Sequence, residues 1–238
     1  MNIEEVKKRI KERGYWKINF HPIKFIPNLI PSGEDCIEIL TNNIVRLRGW
    51  DYPHIPREGV DNQGIYPGDD YYEAYIDWDI HKEAWRFYQS GQFIHYRALE
   101  EDWMQESVFG YNYIKPGSIL EVIMTIYTLT EIFEFLRRLT VGSNVYEEGG
   151  IIKIELINMN GRMLKLLDPM RSSLSMSYIA RIPEIKIPEK IVTKEDIMNK
   201  SKELALESLA HVFKTFGWVN QPMVIFKSDQ QKLLEGKF

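Results

Sequence analysis

Apolar and polar residues alternate in several separated runs of this 238-residue chain, and that alternation constrains its fold more than any other feature. Trp16, Ile18 and Phe20 alternate with Lys17 and Asn19, and residues 71–78 follow the same period. Phe93, His95 and Arg97 share one side of a further run. Successive side chains on a strand point to opposite faces, so each run reads as a strand with one buried face. Residues 151–157 and 162–167 flank Asn158-Met159-Asn160-Gly161. Asn-Gly between alternating runs predicts a β-hairpin. Leu174, Met176, Tyr178, Ala180 and Ile182 alternate with Ser173, Ser175, Ser177 and Arg181, which predicts a third, adjacent strand. Ile44, Val45 and Leu47 suggest a shorter one.

Other segments carry the helical period. Ile3, Val6 and Ile10 fall on one face, with Gly14 as a stop. Ser32 can cap a short helix with Glu34 and Asp35 in its first turn. Asp79 predicts a helix to Gln89, with Ile80, Ala84, Trp85 and Tyr88 inward. Thr128-Leu129-Thr130-Glu131 reads as a capping box opening a helix to Leu139, while periodicity leaves residues 118–127 open between helix and strand. Thr193 caps a long helix with Ile197, Leu204, Leu209, Val212, Phe213 and Phe216 on its apolar face, stopped at Gly217. A last helix spans 222–234. Residues 55–70, rich in Gly, Pro and Asp, read as a loop, and 100–117 as irregular. Runs of strands and helices without strict βαβ alternation predict an α+β fold, a largely antiparallel sheet with flanking helices. The expected organisation is one domain over 1–238, with a possible sub-division at 1–116 and 117–238.

Composition narrows the class. At 44% hydrophobic and 27% charged residues the chain reads as globular. Its one cysteine, Cys36, excludes an intramolecular disulfide framework and a four-cysteine zinc site, and a lone cysteine reads best as a small buried hydrophobe. There is no Walker-type loop, no Gly-x-Gly-x-x-Gly and no Gly-x-Ser-x-Gly, so no cofactor is expected. The N-terminus lacks an apolar signal core, and the most apolar stretch, 119–139, carries five charges (Glu121, Glu131, Glu134, Arg137, Arg138). A cytoplasmic location without a membrane span is therefore expected.

Charge is unevenly distributed. The net charge is −4, which excludes a globally basic nucleic-acid coat protein. Residues 51–106 hold thirteen acidic and four basic side chains, and four of the six tryptophans lie between positions 50 and 103. An acidic, aromatic segment suits a basic partner, a cationic ligand or a metal better than a phosphate backbone. It equally suits a tryptophan-rich core beneath a solvated acidic loop.

Four constellations carry possible chemistry. On an extended strand Asp77, Asp79 and His81, with Asp69, Asp70 and Glu73 upstream, would share a face and could hold a divalent metal for hydrolysis or nuclease action. The competing reading makes Asp79 a helix cap that turns His81 away. Arg46 and Arg48, ahead of an aromatic turn, can stack a base and grip a phosphate, or pair with the acids of 69–83. Arg162, Lys165, Arg171, Ser173, Ser175, Ser177 and Arg181 fall on the outward face of the expected hairpin and strand, the best candidate for a nucleic-acid-facing surface. Tyr88, Gln89, Gln92 and His95 can line one cleft with Trp50 and His54, where polar groups orient a ligand and rings supply area.

Arg48-Gly49-Trp50-Asp51-Tyr52-Pro53-His54, the run from Trp85 to Phe93, Asp102-Trp103, Thr130-Glu131-Ile132-Phe133-Glu134-Phe135 and Phe216-Gly217-Trp218 occur in that order. As a set they resemble a family of uncharacterised prokaryotic proteins of similar length that is associated with genome-defence neighbourhoods. The resemblance implies no catalytic residue. It points to a non-enzymatic accessory subunit of a defence or nucleic-acid-targeting complex. Protein-partner binding would then fall to Arg48, Trp50, Tyr52, His54, Trp85, Tyr88, Gln89, Gln92 and His95, since aromatics with arginine dominate binding hot spots. A small-ligand module built on the cleft between Trp50 and His95 is the other non-catalytic reading.

Overall fold

The computed structural model describes residues 2–106 and 114–237. Helix α1 (Ile3–Lys11) opens with a reciprocal cap: Glu5 donates its N–H to the Asn2 side chain, and Asn2 donates its own to the Glu5 carboxylate. The chain then enters β1 (Tyr15–Pro22). Ser32 caps α2 (Gly33–Asn43) by accepting the Asp35 N–H. A meander follows: β2 (Gln63–Pro67), β3 (Tyr71–Trp78), β4 (His81–Tyr88) and β5 (Phe93–Ala98). Next, β6 (Ile119–Glu121) runs directly into α3 (Val122–Gly142). Strands β7 (Gly150–Ile157), β8 (Met163–Lys165), β9 (Glu184–Lys186) and β10 (Lys190–Val192) precede α4 (Lys194–Thr215) and α5 (Met223–Leu234).

The main sheet runs β10-β7-β1-β5-β4-β3-β2, with β9 also paired to β7. Each of its pairings is antiparallel, while β6 and β8 form a separate parallel pair. This is the expected α+β architecture. Strand β1 lies between β5 and β7, so the parts before and after residue 116 share one sheet. Helix α1 covers one sheet face, packing Ile3, Val6 and Ile10 with Tyr75, Ala84 and Trp103. The other face turns Trp16, Ile18, Phe20, Trp85, Phe87, Phe93, Ile152 and Ile154 into the main core with α3 and α4. Cys36 is part of that core, as expected.

Several local expectations are overturned. Residues 79–89 do not form a helix. They make a tight turn at Asp79 and Ile80 and return as β4, in register Trp78↔His81 and Asp77↔Lys82. Asp79 sits at φ +33° in this turn, where a β-branched side chain is strained and glycine is not. Asp79→Val is therefore expected to lower stability by about 1–2 kcal/mol in urea denaturation, and Asp79→Gly to leave it unchanged or higher. Residues 55–70 are not wholly loop, because they contain β2.

The Thr128–Glu131 box does not start a helix. Helix α3 begins at Val122 under the Glu121 carboxylate, which accepts the Met124 N–H at 2.5 Å. Thr130 instead donates its hydroxyl to the Ile126 carbonyl, one turn back. Residues 118–127 thus split into β6 and the first turns of α3.

The Asn-Gly turn does not close a hairpin either. Both edges of β7 are occupied, by β1 on one side and by β9 and β10 on the other. The donors at the turn are diverted as well: Met159 N–H bonds the Pro183 carbonyl, and Gly161 N–H the Ala180 carbonyl. Strand β8 pairs with β6 instead. Residues 174–182 form no strand, only an isolated bridge at Met163↔Ile179, and the run at Ile44–Leu47 reduces to the bridge Val45↔Tyr52. Within 100–117, residues 107–113 lie outside the described residues, and 100–106 form two short 3-10 turns.

Candidate functional site

On the α3 side of the sheet, β4 presents His81, Glu83, Trp85 and Phe87, and β5 presents Phe93, His95 and Arg97, paired as Glu83↔Arg97, Trp85↔His95 and Phe87↔Phe93. The inner ends of these rows are aromatic core. The outer ends place charged and titratable groups where a hydrophobic face would otherwise continue.

Glu83 is fully buried. Its Oε1 accepts the His54 backbone N–H at 2.7 Å, and its Oε2 lies 3.2 Å from His95 Nε2 and 3.5 Å from His81 Nε2. A carboxylate only accepts, so His95 Nε2 carries a proton and His95 Nδ1 accepts from the Tyr52 hydroxyl, 3.2 Å away. His81 Nδ1 faces Glu100 at 3.7 Å. Arg97 donates to Glu100 at 3.0 Å and to Glu131 of α3 at 3.2 Å, and Arg48 grips Glu131 through two nitrogens at 2.9 and 2.5 Å. Trp85 Nε1 donates to the His54 carbonyl at 2.8 Å, so residue 54 is held at both backbone groups.

Burial and charge set the protonation states. Burial alone would raise Glu83, but His95 and His81 outweigh it and hold its carboxyl well below the usual 4.5. Burial opposes charge on His81, yet Glu100 and Glu83 outweigh it, so His81 keeps its proton above the usual 6.5. Burial wins at His95 and His54, and both lie below 6.5. One imidazole thus holds its proton more tightly between two carboxylates, while its two neighbours release theirs more readily.

This network underlies a cavity of about 300 Å³. Trp50, Ile80, Met124 and Tyr127 supply apolar walls, and Arg48, Arg97, Glu100, Glu131 and His81 line the remainder. The Trp50 indole is 54% exposed and stacks on the His81 ring, centroids 5.8 Å apart and planes 13° from parallel. Asp51 also lines the cavity, but pairs with Arg46 at 2.6 Å. Arg48, Arg97 and His81 are thus met by Glu131, Glu100 and, beneath the lining, Glu83, so the site is close to charge-balanced.

The residues named from sequence separate into three places. Arg48, Trp50 and Tyr52 line the cavity, and His95 lies beneath it, bonded to Tyr52 and Glu83. His54 is buried against Trp78, ring centroids 4.8 Å apart, and Trp85 is buried in the core. Tyr88, Gln89 and Gln92 do not join them. They sit at the other end of β4, about 20 Å along the strand at 3.3 Å per residue. Gln92 donates to Asn19 at 3.0 Å and borders a different cavity, beside His21 and Phe25. The single cleft expected from Trp50 to Gln92 is therefore not formed.

The proposed nucleic-acid surface is corrected too. Arg162 does not face outward: it is buried, bonded to Asp102 and to the Ile119 carbonyl. Arg171 pairs with Asp229 through two nitrogens at 2.7 Å. Lys165, Ser173, Ser175, Ser177 and Arg181 are exposed, but no strand aligns the serines. Asp77 and His81 lie on opposite faces of the β3–β4 hairpin, since Asp77 turns toward α1 and bonds Arg9 at 2.6 Å. Among the described residues no group of three or more His, Cys, Asp or Glu side chains is placed to hold a metal ion. Arg46 and Arg48 do pair with acids, though with Asp51 and Glu131 rather than those of 69–83.

Glu83, Glu100, Arg97 and Glu131 went unassigned from sequence. A signal existed for two of them. Glu83 follows His81 at the strand period, and Glu131 sits in the most apolar stretch of the chain.

No family model, curated protein or solved structure matches the chain. Among the described residues no helix is long and apolar enough to cross a membrane.

Proposed function

We propose that the chain binds one small organic molecule in the cavity beside Trp50. The carrying observation is a 300 Å³ space, apolar on one side, floored by an ordered network of buried ionised groups. Burying charges costs stability even when they are paired, and replacing such pairs by apolar residues is often neutral or favourable. The fold gains little from Glu83, Glu131 and Arg97 that leucines in the same places would not supply. A ligand needing convergent donors and acceptors accounts for them, and the volume lies at the low end of ordinary ligand sites. The balanced lining favours a ligand without net charge, and the exposed indole favours a flat one.

A thermal-shift screen with neutral heteroaromatics (indole, quinoline, nicotinamide, adenine, cytosine) tests this. Binding at 100 times Kd is expected to add about 2.7 kcal/mol to stability. Trp50→Ala is expected to abolish that gain while lowering the stability of the unliganded chain by no more than about 1 kcal/mol, because the ring is half exposed. Absence of any shift, or equal shifts in Trp50→Ala, contradicts the proposal.

An accessory subunit of a defence or nucleic-acid-targeting complex remains a separate proposal. Its support in this fold is narrow: the exposed Trp50 rim, with Lys165, Arg181 and the three serines also exposed. Tyr52, His54, Trp85 and His95 are buried and out of a partner's reach. A stoichiometric protein that co-purifies after nuclease treatment, and is lost in a rim variant such as Trp50→Asp, would favour it.

A further inference from the structure

We infer that the ligand is a nucleobase, free or carried by a nucleoside, an assignment that rests on the binding reading above and narrows it. Two observations converge. The Trp50 indole stacks on His81 and meets Trp78 at a tilted 6.3 Å, yet Trp50 is still half exposed and lines the cavity, so aromatic surface remains for a ligand ring. A π-face stacked on an aromatic ring is common to all bases and is worth about 1–3 kcal/mol per base. Arg48 and Glu100 line the same small volume, so an obligate donor and a carboxylate acceptor face the ligand together. That pairing complements the edge of a base, where ring nitrogens and carbonyls accept beside N–H groups that donate.

Glu131 holds both Arg48 and Arg97, which fixes the guanidinium planes before any ligand arrives. A rigid, pre-oriented donor loses less entropy on binding than a free arginine. Charge then separates a base from its phosphorylated forms. The two arginines are already matched by Glu131 and Glu100, and His81 by Glu83 beneath it. A phosphate brought to this site meets no uncompensated cation.

The test is calorimetric titration of the full chain with adenine, guanine, cytosine and uracil, then with the matching nucleosides and 5′-monophosphates. At least one base is expected to bind, its nucleoside within about threefold and its monophosphate about tenfold more weakly. Trp50→Ala is expected to weaken the base by about tenfold or more, the loss of one stacked ring. Binding of indole or quinoline with none of the bases overturns the nucleobase assignment and leaves the ligand site standing. Binding of nothing overturns both. A single-stranded tetranucleotide that outcompetes its nucleoside retains the nucleobase but assigns it to a strand, and one weaker than its nucleoside assigns a free base.

Discussion

Glu83→Ala is expected to lower the stability of the chain by about 3–5 kcal/mol, the usual cost of leaving one side of a buried charged cluster unmatched. The substitution strands the His54 N–H and removes the carboxylate facing His95 and His81, with Glu83 and His95 themselves fully buried. Glu83→Gln keeps an acceptor and should cost less. The effect carries a pH signature. Glu83 and Glu100 are both held below the usual 4.5 in the folded chain, so their contribution is complete above pH 4.5 and is lost as the pH falls through their folded values. His81 is raised above 6.5, so its contribution is complete below pH 6.5 and is lost as the pH rises through its folded value. Urea unfolding from about pH 2 to 8.5 should show both limbs in the wild type, and both should flatten in Glu83→Ala. A loss below about 1 kcal/mol would mean the cluster is solvated rather than buried.

A comparable loss, again about 3–5 kcal/mol, is expected for Arg162→Ala. Arg162 and Asp102 are each 1% exposed at the side chain and form a two-point pair. Asp102 also accepts the N–H groups of Gly14 at 2.8 Å and Gly117 at 2.7 Å, and Arg162 donates to the carbonyls of Ile119 and Asn158. The pair therefore ties the start of β1 to the entry of β6 and the turn after β7. Gly14 is required there, since a β-carbon would collide with the Arg162 guanidinium, and Gly14→Ala should destabilise as well. Arg162→Met combined with Asp102→Leu should recover much of the loss, because an apolar pair leaves no stranded charge. Chemical denaturation of the three variants decides this. A normally stable Arg162→Ala that loses affinity for nucleic acid would instead restore an outward role for this arginine.

These residues also mark where the sequence was and was not legible. Strands with one plainly apolar face, β1 and β7, could be read directly, as could α1 from its apolar period and the helices capped by Ser32 and Thr193. Strand β4 could not. Its inward face reads His81, Glu83, Trp85, Phe87, and the two polar positions interrupt the alternation that identifies a strand. A helical spacing of Ile80, Ala84, Trp85 and Tyr88 then matched better. The disruption comes from the same side chains that build the candidate site, a conflict between local pattern and global fold of the kind expected at functional positions. Arg162 failed for a different reason. Its place in the Asn-Gly segment implied an outward strand face, but β7 had no free edge for that segment to pair with, and the backbone turned the guanidinium inward to Asp102. Long-range pairing of this kind has no local sequence signal. Arg48 and Trp50 stood out as a motif, while their partners Glu131 and His81 lie 83 and 31 positions further on and become neighbours only through the sheet and α3.

The most direct measurement is a crystal structure of the full chain grown with the tightest of the heteroaromatic or nucleobase probes. The account predicts a ring stacked beside Trp50, within hydrogen-bond reach of Arg48 or Glu100, with the Glu131–Arg97 and Glu83–His95 contacts unchanged. A probe lodged elsewhere, such as the cavity beside His21 and Phe25, with the Trp50 cavity holding only solvent, would contradict it.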